Sequence, residues 1–185
     1  MASSYIARMI RASKLEPALY EEVEADRNGN VQAAGVVVLA SVAAGIGSIY
    51  HAGGQGFILA AIGALIGWFI WAALVYFIGA KMMPEPQTDA SIAQLLRTTG
   101  FSSAPGIVRV VGIVPGIGFI FMWIGNIWML VAMIIAVRQA LDYKSTWRAI
   151  GVCFLGWVVE MVIIFVIGGI AGGAGVFTPQ AHTIM

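Results

Sequence analysis

Charge is what this chain has least of. Only 10% of its 185 residues are Asp, Glu, Lys or Arg, and 60% are apolar, whereas soluble domains carry about 25% charged residues. So few polar side chains cannot coat a globule in water, and a mean hydropathy of +0.91 points to an integral membrane protein. Cysteine occurs once, at Cys153, which excludes an intrachain disulfide and a Cys-based metal cluster. The two histidines, His51 and His182, are far apart and lack acidic neighbours, an arrangement unsuited to metal or haem. No basic patch is interleaved with aromatics, so nucleic acid has no footprint. There is no Ser/His/Asp arrangement, carboxylate pair, P-loop or zinc spacing, and thus no catalytic, cofactor-binding or metal residue to assign. The charged first thirty residues hold no apolar core of signal-peptide length.

What the chain does have is long apolar runs. A helix needs roughly 20 apolar residues to cross a hydrocarbon core of ~30 Å. Val31 to Tyr50, Gly56 to Ala80, Phe119 to Val137 and Trp147 to Ile170 all satisfy this. Phe101 to Val114 alone would reach only about 21 Å at 1.5 Å per residue, so a span there has to begin near Leu95 to Thr99. Charge placement argues for it. With five spans, Arg8, Arg11, Lys14, Arg27, Lys81, Arg97, Arg138, Lys144 and Arg148 fall on one side. The other side, made of "HAGGQ", the "PGIG" turn and the tail, has no Lys or Arg. The positive-inside rule then puts the N-terminus in the cytoplasm and the C-terminus outside. The expectation is an all-α polytopic protein: short cytoplasmic helices in residues 1–30, five transmembrane helices over 31–172, and a tail at 173–185.

In the first segment, Ser4 to Lys14 places Tyr5, Ile6, Met9 and Ile10 on one helical face beside Arg8, Arg11 and Lys14. Such a helix could lie on an anionic leaflet or pack on the protein's own loops, with equal weight. A second helix is signalled by "LEPALYEEVEADRNGN", with Pro17 suited to its first turn and Gly29 to its stop. The acidic cluster of Glu16, Glu21, Glu22, Glu24 and Asp26 reads as a solvated face ahead of a docking surface for a basic partner.

Three polar residues fall inside spans: Arg109, Asn126 and Glu160. An intramembrane arginine is costly and needs a partner or a wet cavity. Glu160 is the acidic candidate, and the helical rise puts both groups about 18–20 Å deep. An ion pair tying the third span to the fifth is the favoured reading. The alternative is a small transporter or channel using Arg109, Asn126 and Glu160. Small residues at four-residue spacing predict close helix packing: Ala40, Ala44 and Ser48, then Gly63 and Gly67, Gly112 and Gly116, and Gly168 and Gly172. Trp68 and Trp71 sit near mid-span, away from the interface that tryptophan prefers, and packing inside the bundle is favoured over contact with a lipid, pigment or quinone.

Several stretches resemble the Yip-domain (Ypt-interacting protein) family over about Leu15 to Gly172. They are "LEPALYEEVEADRNGNVQAAGVV", "WAALVYFIGAKMM", "LLRTTGFSSAPGIVRVVGIVPGIG" and "AVRQALDYKSTWRAIGVCFLGWVV". The resemblance implies five spans, a cytoplasmic N-terminus and no catalytic residues. The eukaryotic branch is associated with Rab GTPases and vesicle traffic. This chain lacks that branch's long N-terminal arm and its "DLYGP"-type motif, and has Gly100 and Phe101 at the aromatic Gly-Tyr position. It is more similar to short prokaryotic members, so a Rab-type GTPase is not carried over. The expected role is a non-enzymatic scaffold, membrane-organising factor or accessory subunit in a prokaryotic cytoplasmic membrane. Its expected partners are the lipid bilayer and other membrane proteins or further copies of itself.

Overall fold

A computed structural model of the chain describes residues 4–48 and 57–176. The positions of His51, His182, the side-chain surroundings of Gly168 and Gly172, and the tail from 177 lie outside the described residues.

All regular structure among them is helical. Helix α1 spans Tyr5–Ser13 and starts at Ser4, whose hydroxyl accepts from the Ala7 N–H at 3.3 Å. Leu15, with φ of 61°, reverses the chain into α2, Pro17–Ala25, which has proline in its first turn. Helix α3 covers Gly29–Gly47, and α4, Phe57–Val75, continues through π-helical turns over Tyr76–Met82. A capping box of Ser91 and Gln94 opens α5, Ile92–Phe101. A 3₁₀ helix follows over Ala104–Ile113, then α6 over Gly118–Ala140 and α7 over Thr146–Val176.

Four stretches are long and apolar enough to cross a membrane as single helices: α3, Ile62–Met82, α6 and Thr146–Ile163. The segment expected to be one more unbroken helix is instead α5 joined to the 3₁₀ helix. Pro105 explains the break: it has no N–H for the carbonyl four residues back, and its ring clashes there. A 3₁₀ run of ten residues is unusually long. It rises ~2.0 Å per residue instead of ~1.5 Å, so it carries few residues a long way.

From Arg97 to Gly112 the α5–3₁₀ segment lies parallel to α3. A Cβ on Gly29 would sit 3.1 Å from Arg97 Cδ, and one on Gly100 would sit 2.7 Å from Ala33 Cβ. Farther along, Arg109 Nη2 donates to the Ala40 carbonyl at 3.0 Å. At the far end Gly112 and Gly47 touch through their backbones. Those contacts match about 27 Å of α3 at 1.5 Å per residue.

Helices α1 and α2 form a cap over one end of the bundle. Leu19, Tyr20 and Val23 of α2 are fully buried there, against Leu95, Val137 and Leu141 in the same core. Polar ties close the cap. Arg8, only 3% exposed, bonds Glu22 and Asp26 at 3.0 and 2.7 Å, and its Nη1 donates to Gln32 at 2.8 Å. Gln139 donates to Glu21, Thr88 to the Leu141 carbonyl, and Arg148 pairs with Glu85. The acidic cluster is therefore largely paired within the cap: Glu16 and Glu22 bond Arg11, and Asp26 bonds Arg8.

Helix α1 rests on the flank of the α5–3₁₀ segment. Tyr5 meets Phe101 edge-on at 6.5 Å, and Trp128 Nε1 donates to the Ser13 carbonyl at 2.9 Å. Its arginines serve the cap, while Ile6 and Ile10 face outward.

Packing loosens away from the cap. Among the described residues, the buried apolar side chains of α4 (Trp68, Ala72, Val75, Ile78), α6 (Ala132, Ala136, Val137, Ala140) and α7 (Ala149, Val152, Cys153) lie toward the cap. The contact of α3 with the 3₁₀ helix is the exception at that end. A Cβ on Gly47 would overlap the Arg109 carbonyl oxygen, whereas one on Gly63 or Gly67 would meet nothing within 4 Å. Gly47→Ala is therefore expected to cost about 1–3 kcal/mol by overpacking, and Gly63→Ala to cost nothing measurable. Thermal unfolding of both variants in detergent checks this, and equal losses would contradict the packing described.

Candidate intramembrane site

Arg109 projects from the 3₁₀ helix into a space that glycine leaves open. A Cβ on Gly125 would press on Arg109 Cγ, and one on Gly106 would lie 2.9 Å from Nη2. The guanidinium is held by three neutral oxygens: Nε donates to the Gly106 carbonyl at 3.0 Å, Nη2 to the Ala40 carbonyl at 3.0 Å and Nη1 to Asn126 Oδ1 at 3.3 Å. Arg109 and Asn126 are thus brought together. Glu160 is not among these partners, and no ion pair joins it to Arg109 among the described residues.

Glu160 instead lines a cavity of about 570 Å³ that Arg109 also lines. It lies on the same stripe of α7 as Ala149, Val152, Cys153 and Gly156, which are buried. The cavity wall comes from α3 (Ala40, Ser41, Ala44, Ser48), from Gly63, Ala64 and Gly67 of α4, and from Trp68, Trp71 and three methionines. Gly63 and Gly67, read in the sequence as a packing ridge, therefore face this space. Gly112 does sit in a close contact, against Gly47 and the Met122 sulfur. Gly116 has φ of 86° and serves the turn before α6, which glycine's conformational freedom permits.

The mid-span tryptophans have satisfied donors. Trp68 Nε1 reaches the Leu96 carbonyl and Thr99 Oγ1, both at 3.2 Å, and Trp71 Nε1 lies 3.2 Å from the Met133 sulfur. Both line the cavity.

A second cluster lies in the cap. Arg97 donates through Nε and Nη2 to the Glu24 main-chain carbonyl, and Gln94 donates to Glu24 Oε1 at 2.9 Å. Glu24 Oε2 is buried with no hydrogen-bond partner among the described residues. Burial above all, then the neighbouring charges of Asp142 and Glu21, pushes this carboxyl up to about 7. The sequence placed Glu24 in a solvated cluster. Its position on the inner face of α2 was one helical turn from Tyr20, but only the packing of α5 against that face buries it.

A bundle of apolar helices with a polar cap at one end and an arginine and a glutamate lining one open cavity defines a polytopic helical membrane protein. The chain belongs to the Yip1 domain family, whose sequence profile matches residues 18–168. No curated protein and no solved structure matches it.

Glu24 makes the cap sensitive to pH. A carboxyl that titrates near 7 in the folded protein and near 4.5 unfolded binds its proton more tightly when folded. Its contribution is complete below about pH 4.5 and is lost as pH rises through 7. Glu24→Gln is expected to raise stability at pH 8 by about 1–2 kcal/mol, discounted for the partial exposure of the side chain. It should also flatten the fall in stability between pH 5 and 8. Melting temperature measured against pH for both proteins checks this.

Proposed function

We propose that the protein is a non-enzymatic membrane scaffold or accessory subunit that crosses the bilayer five times. In this reading the cap is cytoplasmic and the C-terminus lies outside, in a prokaryotic cytoplasmic membrane. The fifth crossing is supported by the parallel run of the α5–3₁₀ segment beside α3. The orientation is supported by the cap end, where Arg8, Arg11, Arg97, Arg138 and Arg148 make their bonds.

The observation that carries the scaffold reading is the outer face of α7. Among its described side chains, only a narrow stripe is covered by the rest of the chain. Phe154, Leu155, Trp157, Val158, Val162 and Phe165 are all exposed, Phe165 at 82%. At 31 residues, α7 would reach about 46 Å, well beyond the hydrocarbon core. A broad apolar face on a long helix suits lateral contact with another membrane protein or a second copy. A Rab-type GTPase is not part of this proposal.

A photo-crosslinking residue at Trp157 should yield a discrete protein adduct in native membranes, while one at Ile124 of α6 should not. Purification in mild detergent should retain the same partner. Lipid adducts alone at Trp157, with the chain always running singly, would contradict the scaffold reading.

A second reading, a small transporter or channel using Arg109, Asn126 and Glu160, is favoured by the cavity and by the lack of direct contact between its two charges. It requires a solute flux in reconstituted vesicles that Glu160→Gln abolishes.

A further inference from the structure

The scaffold reading leaves the cavity shared by Arg109 and Glu160 without a use. Arg109 enters it as a permanent cation, fixed in place by the carbonyls of Gly106 and Ala40 and by Asn126 Oδ1, none of which neutralises it. A guanidinium has five N–H groups, so donors remain for a further oxyanion. Glu160 enters from α7 and has no hydrogen bond or ion pair to another described residue. Two opposite charges facing one space of about 570 Å³ without touching leave room for an occupant between them. That volume is in the range of small-molecule sites.

The rest of the wall points to the kind of occupant. Small residues of α3 (Ala40, Ala44) and α4 (Gly63, Gly67) line the cavity. A Cβ added at either glycine meets nothing within 4 Å, so this ridge of α4 closes on no neighbour among the described residues. An open wall of small apolar residues beside a separated cation and anion matches an amphiphile with a zwitterionic head.

We propose that this cavity binds the headgroup of an aminophospholipid of the phosphatidylethanolamine class. The free guanidinium donors of Arg109 take the phosphate, since arginine's planar fork suits phosphate oxygens. Glu160 accepts from the primary ammonium, and the open wall of α3 and α4 takes an acyl chain. The chemistry sets the selectivity. A choline head has no N–H to donate to Glu160, and a glycerol head has no cation to place there, so each loses one of the two contacts. The inference stands on the cavity alone and holds whether or not the outer face of α7 has a protein partner.

Native mass spectrometry of the full chain, released from detergent with equal amounts of phosphatidylethanolamine, phosphatidylcholine and phosphatidylglycerol, tests it. Phosphatidylethanolamine should be retained about tenfold over the other two, the factor expected from one lost charge-assisted hydrogen bond. Glu160→Gln should reduce phosphatidylethanolamine to the level of phosphatidylcholine with an unchanged melting temperature. Arg109→Lys, which keeps the charge and loses the fork, should weaken retention of all three. If Arg109→Lys does not fold, the Glu160→Gln comparison decides alone. Equal retention of the three lipids, or a preference that survives Glu160→Gln, would overturn the proposal. Displacement of the lipid by millimolar phosphoethanolamine would overturn the lipid assignment in favour of a soluble zwitterion with the same two charges.

Discussion

Gly47 and Gly112 bring two backbones into direct contact at the end of α3 away from the cap, and Gly118 repeats the approach by sitting against the Gly112 carbonyl. No side chain larger than hydrogen fits at these places. The contact determines how far the α5–3₁₀ segment must stretch to stay beside α3, and it brings α6 in behind that segment. Arg109 is carried into place between α3 and α6, where the Ala40 carbonyl and Asn126 are within reach. The 3₁₀ geometry is therefore no local curiosity: a regular α-helix of the same residues would fall short of the far end of α3.

The opposite end is closed by different means. The cap joins ion pairs around a buried Arg8 to a fully packed apolar patch on α2. Ion pairs of this kind fix geometry more than they add stability, and the burial of Leu19, Tyr20 and Val23 supplies the adhesion. On the same side, the Tyr143 hydroxyl lies 2.9 and 2.8 Å from the carbonyls of Gly79 and Met83 and shares its proton between them. These carbonyls sit at the π-helical turns that end α4, where the regular ladder leaves oxygens to be satisfied. Away from the cap α3 and the 3₁₀ helix stay in contact while α4 stands off at Gly63 and Gly67, and the cavity lies in that space.

Much of this was legible in the residues. The apolar runs of α3, α4, α6 and α7 are long enough to be counted by eye, and the family could be named from four stretches of pattern. The break at Pro105 was visible as a proline, but the long 3₁₀ run after it was not, because its cause is the fit of one backbone against another. Arg109 and Glu160 were singled out as an ion pair, and no such pair forms among the described residues. Equal depth along the membrane normal could be computed from helical rise, yet depth says nothing about lateral separation, and two of the three oxygens that hold Arg109, those of Gly106 and Ala40, are main-chain groups that no side-chain pattern displays. The inward turn of Glu24 was hidden for a similar reason, since its burial is made by α5, nearly seventy residues farther along the chain.

Whether the α5–3₁₀ segment carries the chain across the bilayer is the point on which topology, cap and cavity all turn. The direct measurement is labelling of single cysteines by a membrane-impermeant maleimide in intact cells, with Cys153 replaced by Ser. Ile117→Cys, in the exposed turn before α6, should be labelled from outside, whereas Ser91→Cys and Asp142→Cys should react only after the membrane is opened. Labelling of Ile117→Cys only from the side that labels Ser91→Cys would mean that the segment dips and returns, and would contradict the five-crossing arrangement.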